Sequence, residues 1–223
     1  MLDFYDNNQS TKSHLPLISK DELSDQEVLH ELDKIKLELK DEVVVLGHHY
    51  QQDDIIKYAD HIGDSLALAK KGITLNKPYI IFCGVHFMAE TADILSQNNQ
   101  SIILPDPNAG CSMADMAELK DIEQAWDYLT AISNEKIIPV TYINCSAELK
   151  SFVGKHGGSI CTSSNAEQVI RWAQEQGGKL LFFPDQHLGR NTCFKMGVPL
   201  EKMNIYNPTK KNGGISPQEV INS

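Results

Sequence analysis

The stretch VVVLGHHYQQDD, residues 43–54, decides the fold. It opens as a run of apolar β-formers too short for a helix of its own and ends in two histidines, a tyrosine, two glutamines and two aspartates. Working outward, the same kind of run returns as YIIFC at 79, SIILP at 101, KIIPVTYI at 136, a shorter GGSIC at 157, KLLFFP at 179 and NIY at 204. Between them stand helical patterns: DDIIKYADHIGDSLALAKKG, HFMAETADILS, DIEQAWDYLTAIS and NAEQVIRWAQEQGG. Strand and helix alternating at this rhythm specify an α/β protein built of αβα units with short parallel sheets. In such sheets the loops leaving the carboxyl ends of the strands form the ligand crevice. A buried strand that runs into GHHYQ therefore delivers those side chains to a site.

Residues 1–24 are polar and carry little pattern, so they read as a mobile arm. A helix is expected from about Asp25 to Lys40, where Ser24 with Glu27 forms a capping-box signature and Val28, Leu29, Leu32 and Ile35 recur at helical spacing. The remainder divides into a first αβα domain over 25–125 and a second over 126–223. Two echoes support a duplication. Cys83 and Cys161 each follow an apolar run and lead to Ala-Glu at a helix start, and P-D-x-x-x-G occurs at Pro105 and again at Pro184. The offsets are 78 and 79 residues.

The balance of 20 Lys and Arg against 30 Asp and Glu, a formal charge of −10, opposes a phosphate-backbone interface and favours small-molecule work. No apolar run has the length of a membrane helix. The first residues have no basic segment leading into an apolar one, so the expected location is the cytoplasm. Five cysteines, with no CxxC pair among them, argue against a disulfide framework in that compartment.

Polar residues that follow strands are the candidates for chemistry: His48, His49, Tyr50, Ser65, Asp106, Asn108, Cys111, Tyr142, Asn144, Ser146, Thr162, Ser163, Ser164, Asn165, Asp185 and His187. Each has a plain structural alternative. Gly63-Asp64-Ser65 reads first as a helix cap, and the Thr162–Asn165 run serves as helix start and anion site alike. His48 with Tyr50 at the end of a strand favours function, and His49 is the weaker of the pair because adjacent side chains point to opposite sides. Cys83, Cys145 and Cys161 read as buried structural thiols, whereas Cys111, after a glycine in a loop, reads as an exposed nucleophile or metal ligand. A hydrolase built on Cys111 and His48 has no orienting partner in the sequence.

The blocks GHHYQ, GDSLALA, FMAETADIL, LPDPNAGCSMADM, VTYINCSAELK, CTSSNA and FPDQHLG, taken in order, resemble the quinolinate synthase family of NAD biosynthesis from about residue 25 onward. That resemblance implies two of the three αβα domains that the family arranges about a pseudo-threefold axis. It implies condensation of iminoaspartate with dihydroxyacetone phosphate to quinolinate, phosphate and water, with L-aspartate oxidase as the source of iminoaspartate and no nucleic-acid or membrane partner. Tyr50 would be the acid/base residue, with His48 beside it. Substrate would be held by His48, Ser65, Tyr142, Ile143, Asn144 and Ser163. Cys111 would be the first of three cysteine ligands to a [4Fe–4S] cluster. The family's next blocks, a G-x-C-x-V-H motif, a His-Pro-Glu segment and a further cysteine, would follow NPTKKNGGISPQEVINS, where this sequence stops. The expectation is that the chain alone is an incomplete synthase with a bared apolar interface, or else a dicarboxylate- or phosphate-binding fragment without a cluster.

Overall fold

The computed structural model describes residues 23–223, so the expected arm, apart from its last two residues, lies outside the described residues. Helix α1 covers Asp25–Glu38 and opens on the capping box: Ser24 Oγ accepts from Glu27 N, and Ser24 N donates to the Glu27 carboxylate at 2.8 Å. It ends two residues before the expected Lys40. Compactness divides the chain after Asp41, with α1 in the first unit and both sheets within residues 42–223.

The first sheet is wholly parallel. Strand β1 (Val43–His48) lies between β2 (His61–Gly63) and β3 (Tyr79–Cys83), and β4 (Ser101–Ile103) forms the edge beyond β3. The patterned run 53–72, expected as helix with a restart capped at Gly63-Asp64-Ser65, is a short helix α2 (Asp53–Ile56), then β2, which was not expected, then helix α3 (Ser65–Ile73). Hydrogen bonding overrode the helical spacing, because His61–Gly63 pairs with Leu46–His48 and completes the open side of β1. Asp64 caps α3 by accepting from Ala67 N at 2.8 Å. Helix α4 (His86–Leu95) follows β3. Val44, Leu46, Leu68, Ile80, Phe82, Phe87 and Met88 pack into one buried core here.

After helix α5 (Leu119–Ile132), the second sheet places β5 (Lys136–Tyr142) between β6 (Ser159–Cys161) and β7 (Gly178–Phe183), again all parallel. Helices α6 (Ala147–Lys155), α7 (Ala166–Glu175) and α8 (Gln186–Lys195) complete the unit. Neither α6 nor α8 announced itself in the hydrophobic pattern. Both faces of β5 are covered: Ile138 and Val140 lie in one core with Cys161 and Ala173, while Leu149, Phe152 and Phe183 form another beneath α5. Pro139 stands inside this central strand without harm. The β6 ladder begins one residue later, at Val140, so the donor that proline lacks faces backbone not yet paired there. The expected strand at NIY does not form. Instead Asn204 Nδ2 reaches Glu219 O at 3.0 Å, on helix α9 (Pro217–Asn222).

Both sheets share one topology, with the central strand first, the next strand to one side, and the third crossing back to the other. The duplication is therefore present, but in a different register from the echoes in the sequence. β1 matches β5, β2 matches β6 and β3 matches β7, so Cys83 is the counterpart of Phe183 and not of Cys161. The two P-D-x-x-x-G segments differ likewise, one following the edge strand β4 and the other opening α8.

Candidate functional site

In each sheet the strands to either side of the centre are reached by connections running opposite ways, so the crevice opens at the carboxyl ends of β1 and β5. His48 closes β1 and Tyr142 closes β5, 94 residues later. Ser65 opens α3, and Ser163, 98 residues on, stands just before α7. The predicted site residues thus occupy matching places in the two copies.

His48 is 4% exposed, and Tyr50 beside it is 82% exposed. Burial lowers the His48 pKa below 6.5, His49 adds to the effect, and Asp64 opposes it. Tyr50 N lies 3.4 Å from His48 Nδ1, which therefore accepts; the neutral ring carries its proton on Nε2 and can donate there. His49 is exposed, its Nδ1 3.1 Å from Gly63 O, and its ring stacks on His48 at 4.4 Å. Tyr50 sets its edge against both imidazoles, at 4.6 and 4.3 Å. Adjacent side chains leaving the strand thus differ in burial but remain in contact.

On the second sheet, burial raises the Tyr142 pKa, a hydrogen bond with Ser163 opposes it, and the phenol of Tyr50, the thiol of Cys161 and the carboxylate of Asp185 reinforce it. The phenol is thereby kept protonated, and Tyr50, Tyr142, Ser163 and Asp185 share one neighbourhood. Ile143 is buried, and Asn144 sits at the apex of a three-residue turn closed by Cys145 N on Ile143 O at 2.9 Å. Asn144 Nδ2 reaches Cys111 Sγ at 3.9 Å, joining a loop of the first sheet to a turn of the second.

Other candidates resolve as local structure. Asp106 Oδ1 accepts from Asn108 N, Ser146 Oγ caps α6 through Leu149 N, and Asn165 Oδ1 accepts from Thr162 N and hydroxyl. Thr162 also hydrogen-bonds Ser164. Asp185 caps α8 through His187 N while remaining near Tyr142; its signal in the sequence was the Pro-Asp pair directly after a strand.

Cys111 is half-buried against the first core, not the exposed thiol its glycine neighbour implied, and Cys83 is half-buried too. Burial raises the thiols of Cys83, Cys145 and Cys193, and pushes Cys161 up to about 12. Such thiols resist the deprotonation that metal ligation needs. Among the described residues no group of three His, Cys, Asp or Glu side chains is arranged to hold a metal. One thiol at the crevice does not fit a four-iron cluster. Among the described residues no helix is long and apolar enough to cross a membrane.

A parallel α/β protein with a duplicated unit and a polar crevice at its strand ends defines a class of small-molecule binding proteins and enzymes. Residues 30–212 match the family model described as quinolinate synthetase A protein, and the chain belongs to that family. It is 53% identical over 202 residues to the quinolinate synthase of Corynebacterium glutamicum, covering 90% of this chain and 51% of that protein. It is 50% identical to that of Herpetosiphon aurantiacus, covering 89% and 54%, and 52% identical to that of Streptomyces coelicolor, covering 88% and 51%. The chain thus spans about half the length of these relatives.

Proposed function

We propose that this chain serves NAD biosynthesis by carrying the substrate-holding part of a quinolinate synthase, which joins iminoaspartate to dihydroxyacetone phosphate and releases quinolinate, phosphate and water. The observation that carries the reading is the 3.9 Å approach of Asn144 to Cys111, which draws donors from two sheets into one crevice. His48 through Nε2, Tyr142 through its protonated phenol, Asn144 through its amide and Ser163 through its hydroxyl are neutral donors in a chain of charge −10. Neutral donors bind carboxylates without the desolvation cost of buried cations. Ser65, which opens α3 after β2, and Ile143, which follows β5, are both buried beside the strand ends. Tyr50, exposed and edge-on to His48, is the group that moves a proton.

A second reading is favoured by the single thiol at the crevice: a dicarboxylate- or phosphate-binding fragment with no turnover. The two are separated by treating the 223-residue chain anaerobically with iron and sulfide, then supplying iminoaspartate and dihydroxyacetone phosphate. The synthase reading expects quinolinate whose formation is lost in Cys111→Ser and falls by about 10²-fold in kcat in Tyr50→Phe. Binding of L-malate without product supports the second reading. Product formed equally well by both variants would sink the assignment of those residues.

A further inference from the structure

We propose that Glu90 and Lys150 are positioning residues of this crevice, acting through helix α4 as a ruler that sets the separation of Cys111 and Asn144. The inference rests on reading those two as site residues. α4 touches both of their loops. At its start, His86 N donates to Ala109 O at 2.9 Å, two residues before Cys111. About one helical turn further along, Glu90 accepts from Ala147 N at 2.7 Å, and Thr91 Oγ1 accepts from Lys150 Nζ at 3.0 Å. Thr91 is itself anchored, its hydroxyl donating to Phe87 O at 2.7 Å.

The far ends of these bonds fall at the turn that aims Asn144. Lys150 Nζ donates to Cys145 O at 2.8 Å, and Ala147 N is three residues past Asn144. Upstream, Ile143 N donates to Cys161 O at 2.8 Å. The turn is thus fastened on both sides, on one of them by α4 and by Lys150 of α6, with Thr141 Oγ1 also reaching the Cys145 thiol at 3.3 Å. Lys150 is buried, with Nζ 5.5 Å from the centre of the Phe87 ring. Burial lowers its pKa, while the Cys145 thiol and Glu90 carboxylate favour its ammonium form. A buried lysine is a poor device for stability alone. Its bonds to α4, which follows a strand of the first sheet, and to the turn that ends β5 of the second fit a role in placement.

The test is the alkylation rate of each cysteine by iodoacetamide, resolved by mass spectrometry on the full chain in the presence of an iron chelator. Glu90→Ala, Lys150→Met and Asn144→Ala are each expected to raise the rate at Cys111 by about two- to fivefold, the size of one weak hydrogen bond. Cys145, Cys161 and Cys193 should stay slow. Combining Lys150→Met with Asn144→Ala should add nothing further, because both release the same contact. Glu90→Gln keeps an acceptor oxygen and should restore the original rate. Lys150→Met keeps length without charge, so faster Cys111 labelling at an unchanged denaturation midpoint excludes general loosening. A parallel rise at all cysteines, additive effects, or no change at Cys111 in any of the three variants would overturn the proposal. The labelling needs no substrate, cluster or turnover. A chain that makes no quinolinate would favour the binding-fragment reading and leave this result standing, and the reverse also holds.

Discussion

The two sheets reach the crevice differently. The first ends in a buried His48 and an 82% exposed Tyr50, whose backbone N–H rests on the His48 ring at 3.4 Å. The second runs on from Tyr142 into buried Ile143 and Cys145, with the N–H of each, the Cys145 carbonyl and Ala147 N all paired. The first end is paired as well, His49 N donating to Gly63 O at 3.2 Å and Gln51 N to His48 O at 2.9 Å, so what divides the two ends is burial. Under the proposed function, Tyr50, the proton-moving group, stands on the exposed side, and Asn144, the orienting group, sits between buried Ile143 and Cys145 on the other. An orienting amide gains from being held within about half an ångström.

The strongest way to break this comparison is to disturb the wall of the second sheet. A Cβ added at Gly158 would fall 1.9 Å from Pro139 O and 2.8 Å from Val153 Cγ1. Strand β5 cannot retreat, because β7 pairs along its other edge. Gly158→Ala is expected to destabilise by about 3 kcal/mol or more, read as a lowered urea midpoint. Gly154→Ala serves as its control, since nothing lies within 4 Å of the added carbon in α6, and a small stabilisation of up to about 1 kcal/mol follows. Equal effects at the two glycines would show that the second sheet is not the rigid partner.

An effect of similar size sharpens the comparison. Leu46 in β1 and Ile138 in β5 are both fully buried, so truncation of either to alanine should cost about 2–5 kcal/mol. Bonds from Glu90 to Ala147 N and from Lys150 to Thr91 cross between α4 and α6, so both losses are expected in one common unfolding transition. Two separate transitions, each sensitive to only one substitution, would mean that the sheets differ in rigidity because they unfold apart.

What was legible in the sequence follows the same division. β1, β3, β4, β5, β6 and β7 were legible as apolar runs, the three-residue β4 and β6 included. β2 spans three residues, and its pairing with β1, not its composition, makes it a strand. Likewise α6 and α8 begin at the polar caps Ser146 and Asp185, which local pattern did not separate from loop. Matching letters placed the duplication at an offset of 78 to 79, whereas topology places His48 opposite Tyr142. Residues at strand ends were legible as candidates because the strands were. Glu90 and Lys150 were not, since single charged residues resemble a solvated face until tertiary packing buries the lysine.

The smallest expected effect concerns the buried imidazole at the end of β1. His48 holds its proton less tightly in the folded chain than at its ordinary 6.5, chiefly because burial penalises the charged ring. Between the folded and unfolded values the unfolded chain binds more protons, so stability rises with pH through that window. Above 6.5 His48 contributes no pH dependence; as pH falls below it, stability is lost with a slope of at most about 1.4 kcal/mol per unit. Chemical denaturation at a series of pH values should show a steeper loss below 6.5 for the unsubstituted chain than for His48→Gln. A glutamine cannot titrate there but can still accept from Tyr50 N. Identical slopes would mean that protonating His48 costs the fold nothing. In that case the first sheet yields at this residue as readily as at exposed Tyr50, and the asymmetry between the two strand ends would rest on the second sheet alone.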